Sequence, residues 1–487
     1  MSFAKPEKAV AENAKDSVAV RWAVTSLAVS MLLSSLGTSS ANIALPTLVQ
    51  AFHASIQEVQ WVVLAYLLVI TSLIVSVGRL GDLIGRRRLL LAGLFSFTLA
   101  SALCGAASTL WLLIAARAAQ GLGASIMMAL TMAMVAEAIP KEKTGSAMGL
   151  LGSMSALGTA LGPTLGGALI GGFGWRAIFL INLPLGLVTF FLAYRYLPRD
   201  RNLPKKESVR LDYLGTLLLA VTLVAYALAM TTGRGSFGVL NLALLLAALV
   251  GLGLFLLAET KAASPLIRLA MLRDPVLSAG FAMSVLVTTV VMATLVVGPF
   301  YLSGALGLSA AEVGLVMSAG PIFAALTGLP AGRIVDRFGA QRMSSAGLIA
   351  MAAGCSTMTL LPMRFGVPAY IVPLVIITAG YALFQAANNT AVMTNIQADQ
   401  RGVISGLLNL SRNLGLITGA SVMGTVFTFG AASGNIMIAR PQAVAAGMRM
   451  TFVVATALIM FALVIALFSR FVSRRILVRN RERELST

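Results

Sequence analysis

Residues 78–88 read GRLGDLIGRRR, and residues 332–342 read GRIVDRFGAQR. Gly78, Arg79, Asp82, Gly85 and Arg88 meet Gly332, Arg333, Asp336, Gly339 and Arg342 at a constant offset of 254. A second match runs at 257. Gly145, Gly149, Leu150, Leu151, Leu157, Gly158 and Gly162 meet Gly402, Gly406, Leu407, Leu408, Leu414, Gly415 and Gly419. Two matches at nearly one spacing mark an internal duplication. The offset spans eight apolar runs, so the reading is six helices per half with two extra helices between them. Parallel repeats of this kind are a transporter signature, with the substrate site near the midplane at their interface.

The composition agrees. Of 487 residues, 58% are hydrophobic and 11% charged, against about 25% charged in a soluble domain. That excludes a soluble or disordered protein, and long apolar runs exclude a nucleic-acid binder. Runs of roughly 20 apolar residues read as spanning helices, not the short alternating strands of an outer-membrane barrel. Fourteen spans are expected, near 22–45, 57–77, 89–107, 110–137, 146–171, 177–196, 212–231, 239–258, 276–302, 310–331, 343–361, 369–393, 403–430 and 447–471. The third and fourth should form a tight hairpin. The polar, basic first 20 residues and the long apolar run after them read as an uncleaved first helix, not a signal peptide.

The basic excess, 36 Lys+Arg against 17 Asp+Glu, is first a topology signal. With both termini cytoplasmic, 29 of the 36 fall on the inner side. Five fall outside (Arg176, Arg234, Arg364, Arg440, Arg449), and Arg117 and Arg412 fall within helices. The expected parts are a cytoplasmic tail (1–21), a six-helix bundle (22–197), a linker with two extra helices (198–274), a second bundle (275–472) and a basic tail (473–487). Cys104 and Cys355 sit in apolar runs and suggest small packing residues, not a disulfide or metal site.

Three motifs carry the mechanism. In the loop at 78–88, Gly78 and Gly85 suit a tight turn, and Arg79 and Arg86 suit the cytoplasmic leaflet. Asp82 can pair with these arginines or with the positive N-terminal end of the fifth helix. A contact that forms in one conformation and breaks in another is a latch. Gly332, Arg333, Asp336, Gly339 and Arg342 make its repeat. The fourth helix carries Arg117 and Gln120, and an arginine inside a span is functional by default. The fifth carries Gly158, Gly162, Pro163, Gly166 and Gly167, a bare stripe for close helix approach with a proline embedded in it.

These motifs resemble those of the major facilitator superfamily, in its 14-helix drug:proton antiporter subfamily. Residues 78–88 resemble its signature loop, 117–123 its Arg-x-x-Gln-Gly motif, and 158–167 the antiporter motif that marks exporters. Residues 41–46 (ANIALP), 174–186 (GWRAIFLINLPLG) and 401–415 (RGVISGLLNLSRNLG) also resemble the subfamily. The resemblance covers about residues 22–472. It implies an all-α membrane protein of two six-helix bundles plus two extra helices, monomeric, in the inner or plasma membrane. It implies export of hydrophobic or amphiphilic small molecules by alternating access, driven by the proton gradient with no other cofactor. One departure stands out: Gly37 occupies the place where the subfamily usually has an Asp.

None of the 17 acids falls at an expected midplane. Asp82, Glu137 and Glu312 are the candidates for proton coupling. His53 lies in an outer loop and reads as solvated. The cavity's fixed charges would be Arg117 and Arg412, which favours neutral, zwitterionic or anionic amphiphiles over dications. Ser34, Ser35, Thr38, Ser39, Ser40 and Asn42 of the first helix would line the cavity. Gln385, Asn388, Asn389 and Asn395 would join them from the twelfth, and Asn409 and Asn413 from the thirteenth. Interhelical packing is the competing role for each amide. A dedicated single-metabolite exporter is the alternative function. A pore or membrane enzyme fits less well, since no phosphate-binding loop is present and His53 is the only histidine.

Overall fold

A computed structural model of the chain describes residues 6–138, 144–200, 212–232, 238–262, 274–360, 365–393, 401–432 and 439–485. Every regular element among them is a helix. In order these are α1 (Pro6–Phe52), α2 (Ile56–Ile84), α3 (Arg86–Ala106), α4 (Leu110–Ala138), α5 (Thr144–Phe173), α6 (Ala177–Leu180), α7 (Asn182–Tyr196), α8 (Tyr213–Thr231) and α9 (Val239–Lys261). Then come α10 (Pro275–Gly304), α11 (Ala310–Phe338), α12 (Ala340–Leu360), α13 (Pro368–Met393), α14 (Arg401–Thr418), a π-turn (Gly419–Met423), α15 (Gly424–Gly430) and α16 (Pro441–Leu485).

Thirteen stretches among the described residues are long and apolar enough to cross a membrane. The expected fifth span coincides with α5, whose apolar stretch Leu157–Phe173 is shorter. The count of fourteen is therefore thirteen by this measure. Two expected spans are also interrupted. The sixth breaks at Ile181 between α6 and α7, and the thirteenth carries the π-turn. The hairpin between α3 and α4 is as tight as expected.

Local chemistry repeats with the sequence. Ser55 opens α2 with a capping box: its backbone N–H and Oγ–H donate to Glu58 Oε2 at 2.6 and 2.7 Å, and its Oγ accepts from Glu58 N. Ser309 and Glu312 open α11 in the same way. The two boxes are 254 residues apart, a third match in register. Gly85 (φ 102°) and Gly339 (φ 87°) make the sharp turns α2–α3 and α11–α12. We call the end of the molecule carrying Ser55 and Ser309 the Ser55 end, and the opposite end the Gly85 end.

Glycines set the close helix pairs, also twice. A Cβ on Gly123 would stand 2.7 Å from Gly93 O, joining α4 to α3; one on Gly380 would stand 2.8 Å from Gly347 O, joining α13 to α12. Gly158 presses on Leu32 O, Ser35 and Leu36 of α1; Gly415 presses on Val285 O, Thr288 and Thr289 of α10. In a bilayer, where lipid is as apolar as leucine, such bare stripes permit the close packing that holds helices together.

α1–α5 and α7 pack on one another, as do α10–α16. α8 and α9 form a separate hairpin. α8 lies along α2, where Trp61 Nε1–H donates to Thr231 Oγ1 at 3.1 Å and Ser76 and Thr216 share a 2.5 Å hydroxyl contact. α8 reaches the other half through Thr425 Oγ1–H, which donates to Met230 O at 2.7 Å. α9 leaves Leu242, Leu246, Leu249 and Leu257 exposed, as a lipid-facing helix does.

Candidate functional site

Arg117 is fully buried on α4. Its Nε–H donates to Val62 O at 2.8 Å, and Nη1 donates to Gln120 Oε1 at 2.5 Å. Gln120 Nε2 passes the chain on to Ser101 Oγ at 2.7 Å. The guanidinium lies 4.1 Å over the Tyr66 ring, a cation–π contact strengthened by desolvation. Nη2 has no partner among the described residues. Arg117 thus ties α2, α3 and α4 together inside the first half. Its full burial fits the buried role that a place two turns into the helix suggests, with Nε and Nη1 serving packing partners.

Tyr66 explains the departure at Gly37. Its hydroxyl donates to Ser34 O at 2.8 Å. A Cβ on Gly37 would stand 3.1 Å from that hydroxyl and 3.4 Å from the Phe97 ring. The place of the subfamily's usual acid is occupied from across the interface by a phenol, with Arg117 stacked on it. Tyr66 gave no signal in the sequence, since an aromatic in a span is ordinary.

The glycine stripe of α5 divides its work. Gly158 and Gly162 bed on α1, where Ser39 Oγ–H donates to Gly158 O at 3.1 Å. Ser39 is therefore packing glue and not cavity lining. Ser35 likewise meets Ser155 Oγ at 2.8 Å. Gly167 faces the other half: a Cβ there would stand 2.7 Å from both Ala310 O and Gly314 Cα. Pro163 joins it, its carbonyl 2.6 Å from a Cβ on Gly314. Gly166 has looser contact, 3.5 Å from Ser40 O. On the opposite seam Gln57 Nε2–H donates to Thr428 Oγ1 at 3.0 Å, and Gln60 packs on Gly424. The two halves are thus joined at the Ser55 end.

The remaining polar set splits. Asn388 is buried glue between α13 and α10, donating to Gly280 O and Ser284 Oγ at 3.1 Å each. Asn42 is buried and donates to Thr38 O at 3.2 Å, while its Oδ1 meets no partner among the described residues. On α14, Gly415 turns toward α10, and Asn409 and Arg412 stay half-buried. The Gln385 carbonyl oxygen, in the amide orientation its neighbours demand, accepts from both Arg412 Nη atoms at 3.0 Å. Asn389 is half-buried one turn along α13. Asn413 is buried with Nδ2 unpartnered among the described residues. Arg412 and Gln385 form a half-buried pair, and Asn389 and Asn409 are half-buried as well. Asn395 lies outside the described residues.

The latches are seen in part. Gly78 is half-buried, but the side chains of Arg79 and Asp82 lie outside the described residues, as does that of Glu137. Arg86 is half-buried. Near Gly85 the carboxylate in view is Asp200, which accepts from Arg87 N at 2.9 Å and Arg88 N at 3.2 Å. It satisfies the orphan amides of α3 from a distant loop. In the repeat, Gly332 is half-buried, while Arg333, Asp336, Gly339 and Arg342 are exposed. These charged side chains make no ion pair among the described residues.

Glu312 is exposed and committed to its capping box. That commitment argues against it as a coupling acid. Glu312→Gln keeps the capping geometry, so transport and its pH profile should match wild type; a displaced pH profile in a flux assay would refute the capping role. His53 sits at the loop before α2 with φ 49°, beside Glu58 and Trp61 in a cleft of about 710 Å³ at the Ser55 end.

Comparisons with known proteins follow the same lines. The sequence matches the Major Facilitator Superfamily over residues 27–420. It is 32% identical to the riboflavin transporter RibZ of Clostridioides difficile, over 84% of this chain and 88% of that protein. It is 32% identical to the multidrug resistance protein Stp of Mycobacterium tuberculosis, over 79% and 72%. It is 29% identical to the tetracenomycin C resistance and export protein of Streptomyces glaucescens, over 82% and 74%. The fold is similar to the crystal structure of a bacterial homologue of the human lysosomal transporter Spinster (TM-score 0.68, 15% identity, 93% and 97% covered). It is also similar to the human organic anion transporter MFSD10 (0.63, 16%, 92% and 99%). The chain is therefore a multi-pass membrane transporter, and it belongs to the major facilitator superfamily.

Proposed function

We propose that the chain exports amphiphilic small molecules of neutral, zwitterionic or anionic character by alternating access between two bundles, 22–197 and 275–472. The observation that carries this is the Arg412–Gln385 pair, a cation with solvent access and an amide as its partner. A site for lipophilic cations would offer a carboxylate instead. Multidrug and export proteins among the relatives support an exporter; the riboflavin transporter keeps a dedicated single-metabolite carrier as the second reading.

In this reading α5 crosses the membrane as the fourteenth span, the chain is monomeric, and both termini are cytoplasmic in the inner or plasma membrane. The Ser55 end then faces outside, and the joined state is the one with its outer gate closed. Protons are the proposed counter-substrate, entering through Asp82 or Glu137.

Arg412→Leu tests the substrate site. A hydrogen bond to a charged group contributes about 1.5–3 kcal/mol. Transport of anionic and zwitterionic amphiphiles in proteoliposomes should fall about tenfold or more, while neutral ones change little. An equal loss across all three classes would remove Arg412 from the site.

A further inference from the structure

The contact that joins the halves at the Ser55 end is built twice, with larger and more polar side chains in the second copy. Gly167 meets Gly314 across the α5–α11 seam, and Gly171 meets Ala311 at 3.4 Å. Adding 257 to the α5 residues and subtracting 254 from the α11 residues gives the other seam: Gly424 against Gln60, and Thr428 against Gln57. Both of those contacts are present. One seam is small residues throughout. The other inserts two amides, Gln57 and Gln60, where its mate has Ala311 and Gly314.

Gln57 is buried and satisfied at Nε2 by Thr428, with Oε1 unmet. Gln60 is fully buried, and neither Oε1 nor Nε2 has a partner among the described residues. It lies so close to Gly424 that any larger residue there would displace it. Gly424 directly follows the π-turn Gly419–Met423, and such turns concentrate at functional positions. A buried amide without partners costs the full loss of its hydration, and that cost vanishes once water reaches it.

We infer that Gln60 is a positioning residue for the transport cycle: an unmet amide that penalises the closed gate and so keeps it able to reopen. The glycine seam supplies the adhesion, and the glutamine seam limits it. This rests on the alternating-access reading given above.

The test uses Ser421→Cys, a buried position one turn from Gly424 toward the π-turn. The rate of alkylation by an impermeant maleimide applied from the Ser55 side reports gate opening. The parent chain, whose Cys104 and Cys355 are buried, sets the background. Gln60→Leu and Gln60→Ala should each slow alkylation about tenfold, while the unfolding temperature of Gln60→Leu, which keeps the volume, holds or rises. Gln60→Ala carries the test if the longer leucine does not fold. An alkylation rate within twofold of the parent, or a faster one, overturns the inference. So does a lower unfolding temperature in Gln60→Leu, because at conserved volume it would mean that Gln60 is bonded in the closed gate. Substrate flux through the unsubstituted protein is measured separately, so absence of transport is distinguished from failure of the gate argument.

Discussion

Gly167→Leu abolishes transport while leaving the bundles folded. The new Cβ would stand 2.7 Å from Gly314 Cα and from Ala310 O, both backbone atoms that cannot rotate away. Overpacking of this kind costs about 1–3 kcal/mol. All of it falls on the joined state, since the residues nearest that Cβ all belong to α11. The closed gate should lose population by roughly 10–100-fold, and alkylation of Ser421→Cys should accelerate. Gly162→Leu is the contrast. It collides with Ser39 inside the first half and should cost folded yield in detergent. If Gly167→Leu transports at more than half the wild-type rate, the seam at Gly167 is not part of the gate.

Gly37→Asp is the second large effect. The side chain would start 3.1 Å from the Tyr66 hydroxyl, next to the ring over which Arg117 is stacked at 4.1 Å. An unpaired buried carboxylate costs several kcal/mol, so the new group must recruit a partner or a proton. Arg117 has one Nη without a partner among the described residues. The substitution therefore supplies the acid that the motif resemblance leads one to expect at this place, beside a guanidinium already there. The expected result is a gain: transport of a lipophilic monocation, at least fivefold above wild type and dependent on an imposed pH gradient. A folded variant that still excludes monocations would show that Gly37 does not set substrate charge.

Much of this was legible in the sequence because the fold is duplicated. The offset between residues 78–88 and 332–342 gave the repeat, and the glycines of 158–167 marked a face for close helix approach without naming its partners. What escaped has physical reasons. Tyr66 and Asp200 act at long range in the chain, and nothing in their local pattern marks a phenol that fills another helix's gap or a carboxylate that caps a distant helix. Ser39 and Asn388 were read as cavity residues because a polar side chain in a span has two outlets, water or a neighbouring helix, and periodicity does not choose between them. Gln57 and Gln60 were readable: their spacing of three at the start of α2 puts both on one face. Their meaning emerged only beside Ala311 and Gly314. The span count differs only at α5, whose apolar stretch among the described residues, Leu157–Phe173, is shorter than the other thirteen.

The central claim is that a cavity whose accessible charge is Arg412, not a carboxylate, selects against cations. The direct measurement is flux of matched neutral, zwitterionic, anionic, monocationic and dicationic amphiphiles into proteoliposomes, with and without an imposed pH gradient. The account predicts that the first three are carried, that dications are carried at least about tenfold more slowly, and that the gradient accelerates the carried classes. Dications transported as fast as neutral compounds would contradict it.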